Sequence, residues 1–225
     1  MKIAVLGTGT VGQAIAGRLN ELGHTVVVGT RDPEATLART ERDRMGNAPF
    51  SAWHAAREGV AVATFADAAS AAELVVNASS GAATLEVLGL AGADNLAGKV
   101  LVDIANPLDF SNGFPPSLFV KDTDSLGEQV QRAFPEMKVV KTLNTLTASL
   151  MVDPKSLGEP STIFVSGDDA QAKATVVALL ESFGHDDIID LGPLETARGT
   201  EMLLPLWLRL MGTLGTGTFN FKVVR

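Results

Sequence analysis

The sequence has no cysteine among its 225 residues, and it has only three histidines. The lack of cysteine excludes disulfides, thiolate metal sites and a cysteine nucleophile. Basic residues are outnumbered, 18 against 26 acidic ones, which gives a net charge of −8. Such a chain repels nucleic acid and anionic membranes, so we expect neither as a partner.

Long hydrophobic runs are also missing from the sequence. The longest apolar stretch, Met202–Met211, contains Pro205 and Arg209. It is far shorter than the roughly 20 residues that a membrane-spanning helix needs. The apolar run at Ile3–Leu6 ends at a glycine-rich turn and is too short for the core of a signal peptide. We therefore expect a cytoplasmic protein.

The three histidines, His24, His54 and His185, are scattered along the chain. His24 and His185 each follow a glycine after a predicted helix, so we interpret them as partners of the helix dipole or as exposed residues. The sequence has no cluster of metal ligands and no nucleophile motif. It therefore predicts no metal site and no acid–base catalytic residue.

What the sequence does have is a regular alternation of strands and helices. Lys2–Leu6 and Thr25–Val28 are predicted strands, and the segment between them has apolar residues at helical spacing before Gly23. The strands are apolar on both faces, which is typical of parallel sheets covered by helices on both sides. We predict an α/β fold with a doubly wound, Rossmann-type parallel sheet of about six strands. The other four strands are predicted at residues 60–64, 74–77, 100–104 and 137–143.

The chain is expected to form a Rossmann domain at residues 1–160 and a small C-terminal α/β extension at residues 161–225 that packs on it. In the first part, a helix from Pro33 to about Arg44 and an insertion at Gly46–Gly59 are predicted. The predicted elements of the extension are strands at 161–165 and 188–191, a helix after Gly167–Asp169, an apolar helix at Glu195–Met211 and a possible edge strand at Phe219–Val223.

A dinucleotide-binding motif of the form G-x-G-x-x-G lies between the first predicted strand and the first helix. This context gives the motif its weight, because its glycines then allow a tight turn, a close approach of the pyrophosphate and helix–strand packing. The free N–H groups at the start of the helix stabilise the phosphates. The residues predicted to bind the pyrophosphate are Gly7, Thr8, Gly9, Thr10, Val11 and Gly12.

The end of the second strand favours NADP(H) over NAD(H). NAD-preferring sites place an acidic residue there for the ribose 2′-hydroxyl, whereas this chain has Gly29 followed by Thr30 and Arg31. A hydroxyl and a guanidinium suit a 2′-phosphate. Asp32 could serve as the ribose acid after a short shift in register, but it precedes Pro33 and is more simply interpreted as a helix N-cap.

Loops after three further strands are expected to border the nicotinamide, because ligands of doubly wound sheets lie over the carboxyl ends of the strands. Small or amide-bearing residues at these positions would let the cofactor approach the backbone, although ordinary turn chemistry also explains them. The predicted cofactor contacts are Ala78, Ser79, Ser80, Asn106 and Pro107. The segment Asn144–Thr147, with Asn144 and Thr145, is a third candidate wall, although it could equally be a helix N-cap.

The chain resembles the coenzyme F420-dependent NADP oxidoreductases over nearly its whole length. The resemblance is carried by Gly7–Gly12, Gly29–Arg31, the Gly-Asp-Asp and Gly-Pro-Leu segments at 167–169 and 192–194, Glu201, Leu204–Leu206 and Phe221–Lys222. It implies NADP(H) as cofactor, hydride exchange with a deazaflavin or a flavin-like ring, and a homodimer contact through the C-terminal helix. It also implies a substrate cleft that includes Asn144, Thr145, Met202 and Leu204. Archaeal members carry a histidine at the position of Asn144 and hydroxyl residues near Met202 and Leu204.

Two alternatives stay open at the level of the sequence. The first is an NADPH-dependent imine reductase that resembles pyrroline-5-carboxylate reductase, although the strands predicted at 161–165 and 188–191 do not fit the helical dimerisation domain of that group. The second is a non-catalytic NADP-sensing protein. Hydride transfer between two bound rings requires alignment and exclusion of water rather than a side-chain acid. The lack of a predicted catalytic acid therefore favours hydride exchange with a deazaflavin or flavin-like ring over these two alternatives.

Overall fold

The computed structural model describes residues 1–42 and 46–225. Eight strands form one sheet, and two short strands form a separate hairpin. The strands of the sheet are β1 (Lys2–Leu6), β2 (Thr25–Thr30), β3 (Val60–Thr64), β4 (Leu74–Asn77), β5 (Val100–Asp103), β8 (Lys138–Thr142), β9 (Ile163–Ser166) and β10 (Ile188–Asp190), and the hairpin is formed by β6 (Leu108–Asp109) and β7 (Ser117–Leu118).

Helices cover both faces of this sheet. They are α1 (Thr10–Glu21), α2 (Pro33–Ala38), α3 (Phe50–Ala55), α4 (Phe65–Ala71), α5 (Thr84–Ala91), α6 (Ala93–Leu96), α7 (Leu126–Ala133), α8 (Ala148–Val152), α9 (Ala170–Phe183), α10 (Ala197–Met202) and α11 (Leu204–Leu214). Single 3₁₀ turns lie at Gly81–Ala83, Pro154–Leu157 and Leu194–Thr196.

The order of the sheet is β10-β9-β8-β5-β4-β1-β2-β3, and β3, β2, β1, β4, β5 and β8 are parallel. The prediction of an α/β, doubly wound, Rossmann-type sheet is therefore confirmed. The chain turns back between β1 and β4, so the loops after these strands diverge there and leave a crevice. This crevice is where the site is built.

The core divides into two apolar layers because side chains alternate across each strand. Ile3 and Val5 face one layer with Ile15 and Leu19 of α1. The alternate residues of β1, Ala4 and Leu6, face the other layer with α4, α5 and α7. These four side chains of β1 are fully buried. The apolar runs of the sequence are thus explained by strands that are covered on both sides.

The C-terminal part continues the same sheet. β9 pairs with β8 in the antiparallel direction, and β10 pairs with β9 in parallel. The sheet therefore has eight strands rather than the six predicted. The division into residues 1–160 and 161–225 stays a prediction.

Three helical segments differ from the sequence prediction, while the strand boundaries differ by no more than two residues at either end. The helix expected to reach about Arg44 ends at Ala38, where Arg39 takes an extended conformation, and residues 43–45 lie outside the described part of the chain. The helix expected at Glu195–Met211 is split into α10 and α11, with Pro205 in the first turn of α11, the position where a missing N–H costs least. The insertion at 46–59 contains α3, which the sequence analysis did not predict.

The edge strand expected at Phe219–Val223 is not formed. The carbonyl of Phe221 accepts a hydrogen bond from the N–H of Thr162, but the N–H of Val223 donates to the side-chain hydroxyl of Thr162 rather than to a backbone carbonyl. A side-chain acceptor replaces the next rung, so the tail lies against β9 without extending the sheet.

Candidate functional site

A cleft of about 450 Å³ lies at the carboxyl ends of β1, β4, β5 and β8. The start of α1, with Thr10 and Val11, and α11, with Leu204 and Trp207, both contribute to its walls. The remaining lining residues are Ala78, Ser79, Ser80, Gly81, Ile104, Ala105, Asn106, Leu108, Phe110, Asn144, Leu146, Thr147, Ala148 and Met151. None of these described lining residues has a titratable side chain.

The glycine loop has the geometry that a pyrophosphate requires. A Cβ on Gly9 would meet no protein atom within 4 Å, so the space above it is open. Gly7 has φ +130° and a Cβ there would lie 2.5 Å from the Ala78 carbonyl oxygen, while a Cβ on Gly12 would lie 2.1 Å from the Gly7 oxygen. Gly7, Gly9 and Gly12 therefore provide a turn, an open approach and a close packing contact, in the order that the motif predicts. Gly9 caps α1 without a side-chain hydrogen bond, which leaves N–H groups at the helix start for an anion.

The end of β2 carries the residues predicted to recognise a 2′-phosphate. Thr30 is buried, and its hydroxyl lies 2.8 Å from the Thr36 hydroxyl. Arg31 is exposed and its guanidinium lies 2.7 Å from the Glu86 carboxylate on α5. Asp32 accepts a hydrogen bond from the N–H of Ala35 at 2.9 Å and caps α2. The N-cap interpretation of Asp32 is therefore confirmed, and its carboxylate is engaged by the helix.

A second cleft, of about 570 Å³, lies on the other side of the glycine loop. Thr8, Gly9 and Thr36 line it together with Arg39 and Arg42. The sequence analysis missed these two arginines because it placed them inside a longer helix. They become lining residues because α2 ends at Ala38 and Arg39 takes an extended conformation.

The loops after β4 and β5 are joined by buried hydrogen bonds. Asn77 donates from Nδ2 to Asp103 Oδ1 at 2.7 Å and accepts at Oδ1 from the Ser79 hydroxyl at 2.6 Å. A Cβ on Gly81 would lie 1.8 Å from the Asn106 carbonyl oxygen, so only glycine allows the two loops to meet this closely. Among the predicted cofactor contacts, Ala78, Ser79, Ser80 and Asn106 line the cleft.

Pro107, the fifth predicted cofactor contact, does not line the cleft. Its carbonyl accepts from the N–H of Phe119 at 2.9 Å and anchors the β6–β7 hairpin. Phe110, within that hairpin, reaches the cleft and is exposed.

Asn144, after β8, is held by two other segments. Its Nδ2 donates to Asn106 Oδ1 at 3.0 Å and to the Thr200 carbonyl at 3.1 Å, and Asn106 Nδ2 donates back to the Asn144 carbonyl at 2.8 Å. The preceding residue, Leu143, is buried with φ +58°. A non-glycine residue in this conformation costs on the order of 1 kcal/mol or more and is retained where the surroundings demand it. The amide pair thus fixes the loop across the cleft.

The other predicted cleft residues are divided by the structure. Leu204 lines the cleft, whereas Thr145 is buried behind it. Met202 is partly exposed and its sulfur lies 3.4 Å from the N–H of Asp122, away from the cleft lining. Leu146 and Thr147, in the candidate wall at 144–147, also line the cleft. The apolar walls at Met151 and Trp207 were not predicted, since apolar residues in helices carry no signal that separates a cleft wall from a core.

The histidines take no part in the cleft. His54 Nε2 lies 2.8 Å from the Val60 carbonyl, and His24 Nδ1 lies 3.5 Å from the N-terminal amine. The expectation of exposure is wrong for His185, which is buried and donates from Nε2 to the Met151 carbonyl at 2.9 Å. Burial lowers the pKa of His185, against the opposing effects of this hydrogen bond and of Asp186.

The described residues contain neither a candidate metal site nor a candidate membrane-spanning helix. Within 1–42 and 46–225, no group of histidine, aspartate and glutamate side chains could hold a metal ion. No helix in the same residues is long and apolar enough to cross a membrane.

Comparison with known proteins assigns the family. The F420-dependent NADP reductase of Methanothermobacter marburgensis is 30% identical over 216 residues, which cover 93% of this chain and 92% of that protein. The chain belongs to the family of F420-dependent NADP oxidoreductases. Residues 2–107 match the model of this family, described as NADP oxidoreductase, coenzyme F420-dependent. This chain is therefore an NADP-dependent oxidoreductase, as the sequence analysis predicts.

Other members and neighbours extend this comparison. A crystal structure from Arthrobacter sp. FB24, provisionally described as an F420-dependent NADP-reductase, is 62% identical and superposes with a TM-score of 0.95 over 100% of both chains. Rat metalloreductase STEAP3 is 30% identical over 92% of this chain, but the chain spans only 38% of that protein. A reductive aminase from Aspergillus terreus shares the fold alone, with 18% identity and a TM-score of 0.62 over 95% of this chain and 61% of that one.

Proposed function

We propose that this member of the family exchanges a hydride between NADP(H) and a deazaflavin such as coenzyme F420 in the 450 Å³ cleft. The observation that carries the proposal is the lining of this cleft, in which no described side chain titrates. Such walls orient two flat rings and exclude water, which is what direct hydride transfer requires. The proton that accompanies the hydride then comes from solvent.

The cofactor is proposed to lie along the glycine loop. Gly7, Gly9 and Gly12 shape the loop, and the backbone N–H groups of Thr8, Thr10 and Val11 face the pyrophosphate at the start of α1. Arg31, the hydroxyl pair of Thr30 and Thr36, and Arg39 in the second cleft bind the 2′-phosphate. The bound nicotinamide supplies the transferable hydride.

The nicotinamide is proposed to border Ala78, Ser79, Ser80 and Asn106, with Pro107 anchoring the hairpin beside them. The co-substrate ring then lies towards Asn144, Leu204 and Trp207. A deazaflavin ring is flat and has aromatic faces, which suit a wall formed mainly by Leu146, Met151 and Trp207.

An acceptor panel tests the proposal. Oxidation of NADPH is followed by absorbance with coenzyme F420, FMN, a ferric chelate and a cyclic imine in turn. We expect rapid turnover with the deazaflavin. Turnover with the imine alone would support an imine reductase, and tight NADPH binding without any turnover would support an NADP sensor; either result contradicts the proposal.

A further inference from the structure

A buried ion cluster lies directly behind the cleft. Lys141, on β8, has no exposed side-chain surface. Its Nζ lies 2.6 Å from Asp103 Oδ2 and 2.8 Å from Glu201 Oε1, and it donates to the Ala105 carbonyl at 2.7 Å. All three donor positions of the ammonium group are thus used. Asp103, Lys141 and Glu201 are called the ion cluster below.

The charges of the ion cluster are balanced by further donors. Glu201 accepts from the N–H groups of Leu126 and Gly127 at 2.8 and 3.1 Å, at the start of α7. Asp103 accepts from Asn77 Nδ2 at 2.7 Å. Burial lowers the pKa of Lys141, but the two carboxylates outweigh it and raise this pKa above its usual value. The lysine therefore stays charged.

Stability alone is a weak reason for such a cluster. Taking three charges out of water is costly, and apolar residues of similar volume often serve a core equally well. A fully satisfied polar network does give a unique arrangement of the segments that it joins. The relevant question is therefore which segments the ion cluster fixes.

The ion cluster fixes three walls of the cleft. Ala105, which lines the cleft, is held at its carbonyl by Lys141 and at its N–H by Asp103, 3.3 Å away. Ser79 is held through Asn77, which itself bonds Asp103. Glu201 lies in α10, directly before α11 with its wall residues Leu204 and Trp207. Among the described lining residues, Asn144 also bridges two of these walls, through Asn106 and the Thr200 carbonyl, but it carries no charge.

We propose that Lys141 is a positioning residue for the hydride transfer, and that the ion cluster sets the separation and orientation of the two rings through Ala105, Ser79 and α10. This inference rests on the proposed function. It follows from the steep dependence of transfer reactions on geometry, since a displacement of about 1 Å can cost about 100-fold in rate. Lys141 does not contact either ring and transfers no proton.

The test compares Lys141→Met with Lys173→Met. Lys173 also forms an ion pair, 2.9 Å from Asp190, but lies outside both clefts. In Lys141→Met we expect kcat with the deazaflavin to fall by about 10-fold or more, and the isotope effect on kcat with NADPH deuterated at C4 to increase. The Kd of NADPH should change less than twofold. Lys173→Met should leave kcat and the isotope effect unchanged.

Glu201→Gln provides a milder variant that removes one charge of the ion cluster and keeps the side-chain shape. It should show the same pattern to a smaller extent, so the test stands even if Lys141→Met does not fold. If the wild type turns over and a folded variant keeps the same kcat and isotope effect, the inference about Lys141 is overturned, while the proposed function stands. Absence of turnover by the wild type overturns the proposed function, and the role of Lys141 with it.

Discussion

At the scale of single residues, Arg31 carries the clearest functional signal. Its guanidinium pairs with Glu86 across the end of β2, but both side chains are more than half exposed. An exposed ion pair of this kind contributes less than about 1 kcal/mol, whereas a phosphate offers a guanidinium a stronger, bidentate contact. The sequence predicted Arg31 from its position after β2. It could not predict Glu86, which lies 55 residues further along the chain.

Replacement of Arg31 tests the assignment of the 2′-phosphate. In Arg31→Ala we expect the Kd of NADPH to rise by about 10-fold or more, since a hydrogen bond to a charged group contributes about 1.5–3 kcal/mol. The Kd of NADH should stay nearly constant. Titration of both cofactors by fluorescence measures this, with Arg132→Ala, whose partner is Asp124, as the control. Equal losses for the two cofactors would show that Arg31 does not read the phosphate.

At the scale of elements, the strands were predicted well and the short helices poorly. The strands are recognised from continuous apolar runs such as Val-Leu-Val at β5. Such runs can be identified in the sequence without knowledge of the tertiary contacts. The short helix α3 has no such pattern and is stabilised by contacts of Phe50 with the core. Likewise, α8 was predicted only as the alternative in which residues 144–147 form a helix N-cap, although its Met151 lines the cleft and the Met151 carbonyl is held by His185.

The buried hydrogen bond between His185 and the Met151 carbonyl makes the stability of the protein depend on pH. Burial keeps the folded-state pKa of His185 below its ordinary value of 6.5, so the unfolded chain binds more protons in this range. The contribution of His185 is therefore complete above pH 6.5 and is lost as the pH falls towards the lower, folded-state pKa. Thermal unfolding between pH 7.5 and 5 should show a falling Tm. The fall should be shallower in His185→Gln; an identical pH dependence in both proteins would refute this account.

At the scale of the whole molecule, the doubly wound sheet and the position of its crevice followed from the alternation of elements and the glycine motif. The apolar cleft walls at Met151 and Trp207 did not, because apolar residues in helices carry no signal that separates a cleft wall from a core. The ion cluster is of the same kind, since Asp103, Lys141 and Glu201 are charged residues that sequence patterns assign to the surface.

The oligomeric state is a further property of the whole molecule. We expect a homodimer, because α11 leaves Leu206 and Leu214 exposed, and Phe114 and Phe119 are exposed beside the β6–β7 hairpin. Exposed apolar groups of this size are typical of protein contacts. Light scattering at micromolar concentration should give twice the chain mass of 23.5 kDa, and Leu206→Glu should reduce it more than Leu85→Glu on α5. A wild-type monomer would contradict the expectation.

Direct hydride transfer inside a cleft without titratable walls is the central claim, and isotope tracing tests it most directly. NADPH deuterated at C4 on the transferred side is mixed with oxidised deazaflavin and the enzyme in a single turnover, and the reduced product is analysed by mass spectrometry. We predict that the deuterium appears in the reduced deazaflavin and not in water. Oxidation of NADPH with the deuterium released to solvent, or no reduction of the deazaflavin, would contradict the account.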